Sequence, residues 1–165
     1  MSATYQARPL THLTADMTFP LVQMMQTGLT VERWREFVAE FCTDCGSVVR
    51  VGCDDVLWQR PRGIIVVANE RGYIHGLFSY YVRDDMSDGR VLHVDNLMAV
   101  EIIAGAHVFD AMRDAMTRLV HGHECANVYV SLGQCDERLR DYFSKAGFVP
   151  SKIRYCAPAT PRLLV

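Results

Sequence analysis

Two apolar patterns with helical spacing open the chain. The first lies between Ala15 and Thr27 and ends before Gly28; its apolar positions include Met17, Leu21, Met24 and Met25. The second follows Thr30, whose hydroxyl can cap a helix. Its apolar positions form one stripe: Val31, Trp34, Phe37, Val38 and Phe41. The patterns predict two amphipathic helices, preceded by a short extended segment from Thr4 to Leu10.

After Gly63 the pattern changes to short runs rich in β-branched and aromatic residues. Ile64 to Ala68 and Tyr73 to Arg83 are separated by a polar loop that contains Gly72, which is typical of a β-hairpin. A further run, Val91 to Val100, follows another polar turn. The sequence therefore predicts three consecutive strands that pair antiparallel.

A long helical pattern comes next, from Ala104 to about Val120. Its apolar positions fall on one face: Val108, Phe109, Met112, Met116, Leu119 and Val120. The strand-like run Ala126 to Leu132 follows it. Because a helical crossover joins this run to the preceding strand, we expect the two strands to be parallel.

The last third of the chain contains the segment DERLRDYFSKAGF, which has the pattern of a capped helix. Asp136 can cap its start, and Gly147 can adopt the left-handed conformation that ends a helix. One side of this helix carries Leu139, Tyr142, Phe143 and Ala146. We expect Phe148 to pack into the core and Ser151 to Ala157 to form an edge strand. The elements predict a mixed α/β (α+β) domain over residues 1–165.

Composition narrows the class of protein. A chain of 165 residues with 50% apolar residues can bury one core without disulfides or metals. A net charge of −2 with no long basic run argues against nucleic acid as a partner. With no secretory signal and no run of eighteen apolar residues, the sequence predicts a soluble cytoplasmic protein without a membrane partner.

Six cysteines are read as free thiols, mostly buried, because a reducing cytosol and a domain of this size make disulfides unnecessary. Cys42, Cys45 and Cys53 have a spacing that invites a zinc site. Structural zinc normally needs four ligands, and a second pair is missing. We therefore expect no metal.

The helix ending resembles the Y-x-K-x-G-F signature of the GNAT superfamily of acyl-coenzyme A dependent N-acetyltransferases. Phe143, Lys145, Gly147 and Phe148 stand at the matching places, with phenylalanine where the signature has tyrosine. The order of the elements and the hairpin glycines, Gly72 and Gly76, are also similar to that family. The resemblance extends over roughly Pro61 to Cys156 and is that of a divergent member. It implies a GNAT-like fold, a central mixed, mostly antiparallel sheet flanked by helices.

The resemblance implies that acetyl-coenzyme A is the co-substrate and that a primary amine of a small molecule or protein is the acceptor. The pyrophosphate would lie against the helix start at Ala104, Gly105 and Ala106, with His107 as an additional donor. However, the turn is shorter than the family's, and Glu101 places a carboxylate there. Gly105 would equally serve to bring the helix start close to the sheet, and His107 would equally be solvated.

Further cofactor contacts are implied along the neighbouring elements. Main-chain groups of Met98, Ala99 and Val100 stand where the family uses a bulge to serve the acetyl oxygen and the pantetheine arm. Asp136 matches a residue that supports that arm. Phe143 stands at the place of the signature's tyrosine, which the resemblance puts next to the cofactor. An ordinary strand end and an ordinary N-cap are the alternative readings of Met98 to Val100 and of Asp136.

The catalytic candidates follow from proton transfer. An amine with a pKa near 10.4 must lose a proton near neutrality, so a carboxylate or histidine is needed. Asp95 is the first candidate, and His93 lies on the same face of the predicted strand. A hydrogen-bonded pair or a solvated strand edge would place the same residues there. Phe143 cannot protonate the leaving thiolate. The adjacent Tyr142 is the candidate donor in its place if the helix is rotated, because it points about 100° away around the helix.

Two hypotheses follow. The first is an acetyl-coenzyme A dependent N-acetyltransferase, and the second is a non-catalytic GNAT-fold module that binds or regulates through a degenerate coenzyme A site. The shortened turn at Gly105 and the substitution at Phe143 motivate the second. The resemblance also suggests a homodimer formed through edge strands.

Overall fold

The structure is a computed structural model that describes residues 4–42, 57–100, 107–133 and 137–151. The chain divides into two compact units, residues 1–133 and residues 134–165. The single domain over residues 1–165 stays a prediction.

The described part of the first unit contains five strands and three α-helices. The strands are β1 (Tyr5–Pro9), β2 (Arg62–Asn69), β3 (Ile74–Asp85), β4 (Gly89–Ala99) and β5 (Asn127–Val130). The helices are α1 (Ala15–Met25), α2 (Val31–Cys42) and α3 (His107–Gly122), with a short 3-10 turn at His12–Thr14 before α1. The bounds lie within a few residues of those predicted. The predicted start of α3 at Ala104 lies outside the described residues.

The five strands form one sheet in the order β1-β2-β3-β4-β5. Neighbouring strands from β1 to β4 pair antiparallel, and β5 pairs parallel to β4. The hairpin between β2 and β3 turns through Gly72, which has a φ of +82°. The predicted mixed, mostly antiparallel sheet and the parallel fifth strand are confirmed.

Helices cover both faces of this sheet. On one face, α1 and α2 share a core with β2, β3 and β4; its buried residues include Val22, Val38, Ile64, Leu77 and Met98. On the other face, α3 packs across the strands. Gly76 permits close approach there, since a Cβ at this position would lie 3.1 Å from Cγ1 of Val108 and 3.2 Å from the carbonyl oxygen of Met98.

The buried face of α1 differs from the methionine positions in its sequence pattern. Met17, Met24 and Met25 are exposed, and the residues that face the core are Ala15, Thr18, Leu21 and Val22. The Trp34 indole explains this orientation, because its Nε1 donates to the carbonyl of Ala15 and to Oγ1 of Thr18, both at 3.0 Å. The predicted cap at Thr30 is confirmed, since its Oγ1 accepts from the amide of Arg33 at 3.2 Å.

The described part of the second unit contains one helix, α4 (Glu137–Lys145). Gly147 has a φ of +90°, as predicted for a helix end. The amide of Phe148 donates to the carbonyl of Phe143 at 2.9 Å, and that of Gly147 donates to Ser144 at 3.1 Å. These two bonds and the edge-to-face contact of the Phe143 and Phe148 rings, 4.9 Å between centroids, form a Schellman motif.

Several sequence predictions concern residues of which the structure describes only a part. Leu139 and Phe143 are buried on one side of α4, whereas Ala146 is exposed and lies beyond the helix end. Of the cysteines, Cys42 is buried and Cys125 is partly buried, both as free thiols, and the others lie outside the described residues. The predicted strand from Ser151 to Ala157 lies outside them as well, except for Ser151, which is not in a strand. No described helix is both long enough and apolar enough to cross a membrane.

Candidate functional site

The pairing of β3 with β4 is interrupted by a β-bulge. Ser79 faces Asp95, but the next aligned pair is Leu77 with Met98, so two residues of β4 oppose one residue of β3. Within that extra length Asn96 has a φ of +52°, a left-handed conformation that asparagine tolerates better than most residues. A bulge bends its strand and redirects the groups that follow it, and such bulges are common beside active sites.

The bulge is held by two side chains. Oγ of Ser79 donates to the carbonyl of Asp95 at 3.1 Å, and Nδ2 of Asn96 donates to the same Oγ at 2.9 Å. Ser79 is 1% exposed. This buried hydroxyl, satisfied by both partners, holds the backbone immediately before the bulge and the first residue of the bulge.

The pairing between strands β4 and β5 ends next to this bulge. In the part of the chain that the structure describes, β5 pairs with β4 from Val91 to Val94, and the amide of Ser131 adds a bond of 2.8 Å to the carbonyl of Val94. From Asp95 to Ala99, β4 continues beyond this pairing. Among the described residues, the edge of β4 is therefore paired with β5 before the bulge and is not paired with β5 after it.

Amide directions at the end of β4 follow from the hydrogen bonds. The amide of Val100 donates to the carbonyl of His75 at 2.7 Å, so it points toward β3. Directions alternate along a regular strand, which turns the amide of Ala99 toward the β5 side. Backbone N–H groups on that edge are the type of donor that stabilises a carbonyl oxygen when it gains negative charge.

A row of polar and aromatic side chains lies on the same face as the α1 and α2 helices. Leu77 faces those helices, and alternation puts Ser79 and Tyr81 on its side of β3. Their partners on β4 are Asp95 and His93, which agrees with the common face predicted for these two residues. Both are partly buried.

The ring of His93 is held between two tyrosines. It stacks on Tyr81 with 4.7 Å between centroids and planes 2° apart, and it meets the ring of Tyr129 on β5 at 5.6 Å and 40°. The hydroxyl of Tyr129 donates to the carboxylate of Asp88 in the turn between β3 and β4. The three rings stand side by side on the sheet and keep His93 in one orientation.

The predicted cofactor positions are distributed around the end of β4. Met98 is 6% exposed in the core, Ala99 is partly buried, and the amide of Val100 donates to β3. His107 is the exposed first residue of α3. Ala104, Gly105, Ala106, Glu101 and Asp136 lie outside the described residues.

The two aromatic candidates lie in the second unit. Tyr142 is partly buried, and its ring meets that of Phe143 at 5.6 Å in an edge-to-face contact. Phe143 is 4% exposed and packs on Phe148. Their roles toward the cofactor stay predictions.

Sequence reasoning missed the bulge residues Ser79 and Asn96 and the rings of Tyr81 and Tyr129. One signal was present: two consecutive polar residues, Asp95 and Asn96, interrupt the alternation of a strand, and asparagine is uncommon in strands. Such a change of phase indicates an inserted residue.

No family model and no curated protein matches this sequence. Solved structures do match. An aminoglycoside N-acetyltransferase in complex with coenzyme A has a TM-score of 0.71 at 10% identity, with 96% of this chain and 98% of that chain covered.

Two further structures extend the likeness. The ribosomal-protein-alanine N-acetyltransferase of Brucella melitensis biovar Abortus 2308 has a TM-score of 0.70 at 12% identity, covering 95% of this chain and 100% of that one. The glucosamine-6-phosphate N-acetyltransferase of Arabidopsis thaliana has a TM-score of 0.65 at 14% identity, covering 95% and 99%. The mixed sheet and these likenesses establish that the chain has the fold of the GNAT-type acetyltransferases.

Proposed function

We propose that the protein is an acetyl-coenzyme A dependent N-acetyltransferase that acts on a primary amine of a small molecule or of a protein. The observation that carries the proposal is the bulge at Asn96, which lies where β4 continues beyond its pairing with β5. Beyond the bulge, the amide of Ala99 turns toward the side on which β5 has ended. The fold shared with acetyltransferases adds support.

The end of β4 fits an acetyl thioester. A pantetheine arm carries amides, which can bond to the main chain of an exposed strand edge much as another strand would. Main-chain groups of Met98, Ala99 and Val100 are the proposed partners, and the carbonyl oxygen of the thioester would accept from an amide next to the bulge. The helix start at residues 104–106 and His107 would hold the pyrophosphate. Asp136 and Phe143 are proposed to complete the binding site.

Asp95 is the proposed general base, with His93 as the second candidate on the same face. The acceptor ammonium gives one proton to this base, and the neutral amine forms a C–N bond at the thioester carbon. The C–S bond breaks, and the nitrogen releases a second proton. The departing thiolate takes a proton, for which Tyr142 stays the proposed donor. The overall reaction converts an ammonium and a thioester into an amide, a thiol and one released proton.

The base assignment predicts the behaviour of Asp95→Asn. Removal of the carboxylate should lower thiol release from acetyl-coenzyme A by about 100-fold or more at neutral pH, because general-base catalysis is typically worth 10² to 10⁴. Asp84→Asn is the matched control, since that carboxylate lies on β3 and forms an exposed ion pair with Arg90 at 3.3 Å. Equal rates in the two variants would remove Asp95 from the mechanism and direct the test to His93→Ala.

Cofactor binding is tested by thermal unfolding with acetyl-coenzyme A. A ligand at about 100 times its dissociation constant should raise the free energy of unfolding by roughly 2.7 kcal/mol. Thiol release is then measured with a polyamine, an aminoglycoside, an amino acid and a peptide with a free amino terminus. Stabilisation and amine-dependent thiol release together are the result expected of the enzyme.

One observation favours the second candidate, a non-catalytic module that binds or regulates through this fold. Phe143 replaces the tyrosine of the signature and is buried against Phe148. Acetyl-coenzyme A that stabilises the protein without amine-dependent thiol release would favour this candidate. A cytoplasmic location and a homodimer joined through edge strands also stay proposals.

A further inference from the structure

We propose that Ser79 and Asn96 are positioning residues, which lock the β4 bulge so that the amide of Leu97 is aimed at the thioester oxygen. We call this pair of side chains the bulge clamp. The inference rests on the proposed function and deepens it, because it names the groups that prepare the donor before substrate binds.

Ser79 is a polar residue at a buried position of β3. It is 1% exposed on β3, within a face whose other buried residues include Ile64, Leu77 and Met98. An apolar side chain would be the ordinary choice there, since a buried hydroxyl is costly unless it is bonded. Its hydroxyl is bonded twice: to the carbonyl of Asp95, which directly precedes the bulge, and to the side-chain amide of Asn96, which belongs to it.

Asn96 has a backbone conformation that is unusual in a strand. A residue with a φ of +52° inside a strand is under local strain unless other contacts hold it there. Asparagine tolerates this region, and its Nδ2 bond to Ser79 ties the side chain back to the neighbouring strand. The bond to the Asp95 carbonyl holds the backbone immediately before the bulge, and the bond from the Asn96 side chain holds the first bulge residue.

The bulge clamp directly precedes the proposed oxyanion donor. Asn96 immediately precedes Leu97, so the peptide bond that carries the Leu97 amide begins at the clamped residue. A donor stabilises a developing oxyanion best when its direction is fixed beforehand, because no reorganisation is then needed during the reaction. The bulge clamp supplies that fixed direction without contacting the substrate.

The test compares Asn96→Gly and Ser79→Ala with the wild-type protein. Glycine keeps the positive φ accessible but removes the bond to Ser79, and Ser79→Ala removes the hydroxyl that both bulge groups use. Each variant should lower kcat for thiol release by about tenfold or more, since losing one oxyanion donor outright costs on the order of 10² to 10³. The dissociation constant of coenzyme A, measured by calorimetry, should change less than about threefold, because free coenzyme A has no acetyl oxygen for the clamped donor to bind.

Thr18→Ala is the matched control. Oγ1 of Thr18 is also buried, donates to a backbone carbonyl (Ala15, 2.6 Å) and accepts from a side-chain N–H (Trp34, 3.0 Å), but it lies in the helix layer. A loss of kcat in Asn96→Gly that exceeds the loss in Thr18→Ala supports the clamp. The double variant Ser79→Ala with Asn96→Gly should lose little more than either single variant, because the two residues act as one unit.

Wild-type kcat in Asn96→Gly would overturn the inference, as would equal losses in all variants and the control. Asn96 is exposed, so its glycine variant keeps the test open if Ser79→Ala does not fold. Failure of the proposed function has a different signature: the wild-type protein itself would release no thiol with any of the four amines. That result would remove the reaction, and with it the clamp's role, before any variant is compared.

Discussion

At the scale of single residues, a glycine determines how closely a helix approaches the sheet. Gly76 lies in the middle of the sheet, directly beneath α3. Met112 and Val108 occupy the space where a side chain would be, and the carbonyl of Met98 borders it. The absence of a side chain therefore brings the start of α3 close to the end of β4, where the proposed site lies.

Gly76→Ala should destabilise the protein by about 1 to 3 kcal/mol, the usual cost of overpacking a dense core. Denaturant unfolding measures this change. Gly122→Ala is the control, since the last residue of α3 has open space around its Cβ position and does not need a positive φ. If Gly76→Ala proves no less stable than Gly122→Ala, the close approach of α3 to the sheet is wrong.

At the scale of elements, α1 and α2 are joined by buried and exposed contacts of different character. Trp34 of α2 bonds to Ala15 and Thr18 in the core, while Arg35 makes two bonds to the carboxylate of Asp16 at 2.9 and 2.8 Å on the surface. The side-chain hydrogen bond from Arg35 lowers the pKa of Asp16, and the charge of Arg35 lowers it further. Because both groups are exposed, salt should weaken this pair.

The lowered pKa of Asp16 predicts how stability depends on pH. A carboxyl group with a folded-state pKa below its unfolded value, about 3.9, stabilises the protein above that value and loses this contribution as pH falls further. The stability difference between wild type and Asp16→Asn should therefore be steady at neutral pH and shrink below about pH 4. Arg33→Met is the control, because Arg33 pairs with Glu36 within α2 and should leave the acid response of Asp16 unchanged. A difference that grows toward low pH would contradict the assignment.

At the scale of the whole molecule, local patterns predicted the order and type of the elements. The change of period after Gly63, the crossover before β5 and the glycine after α4 are each visible in a short window of sequence, and the structure has all three. The bulge was not placed at Asn96, because its partner Ser79 lies seventeen residues earlier on another strand. The apolar run from Ala126 to Leu132 predicted a strand slightly longer than β5, whose pairing with β4 ends at Val130.

The candidate site was predicted in part. His93 and Asp95 were placed on one face by alternation alone, and the structure adds the aromatic contacts of Tyr81 and Tyr129 that hold the imidazole. The buried face of α1 could not be read from its methionines, since a helix with apolar residues on several sides is oriented by its neighbours. Trp34 provides that orientation from a different helix.

The central claim is that the end of β4, at and after the bulge, binds acetyl-coenzyme A. The most direct measurement is an amide NMR titration of the full chain with acetyl-coenzyme A. The account predicts saturable shifts that are largest for Leu97, Met98 and Ala99, with small shifts for β1 on the far edge of the sheet. Saturating cofactor that leaves the β4 amides unmoved, or that moves β1 instead, would contradict it.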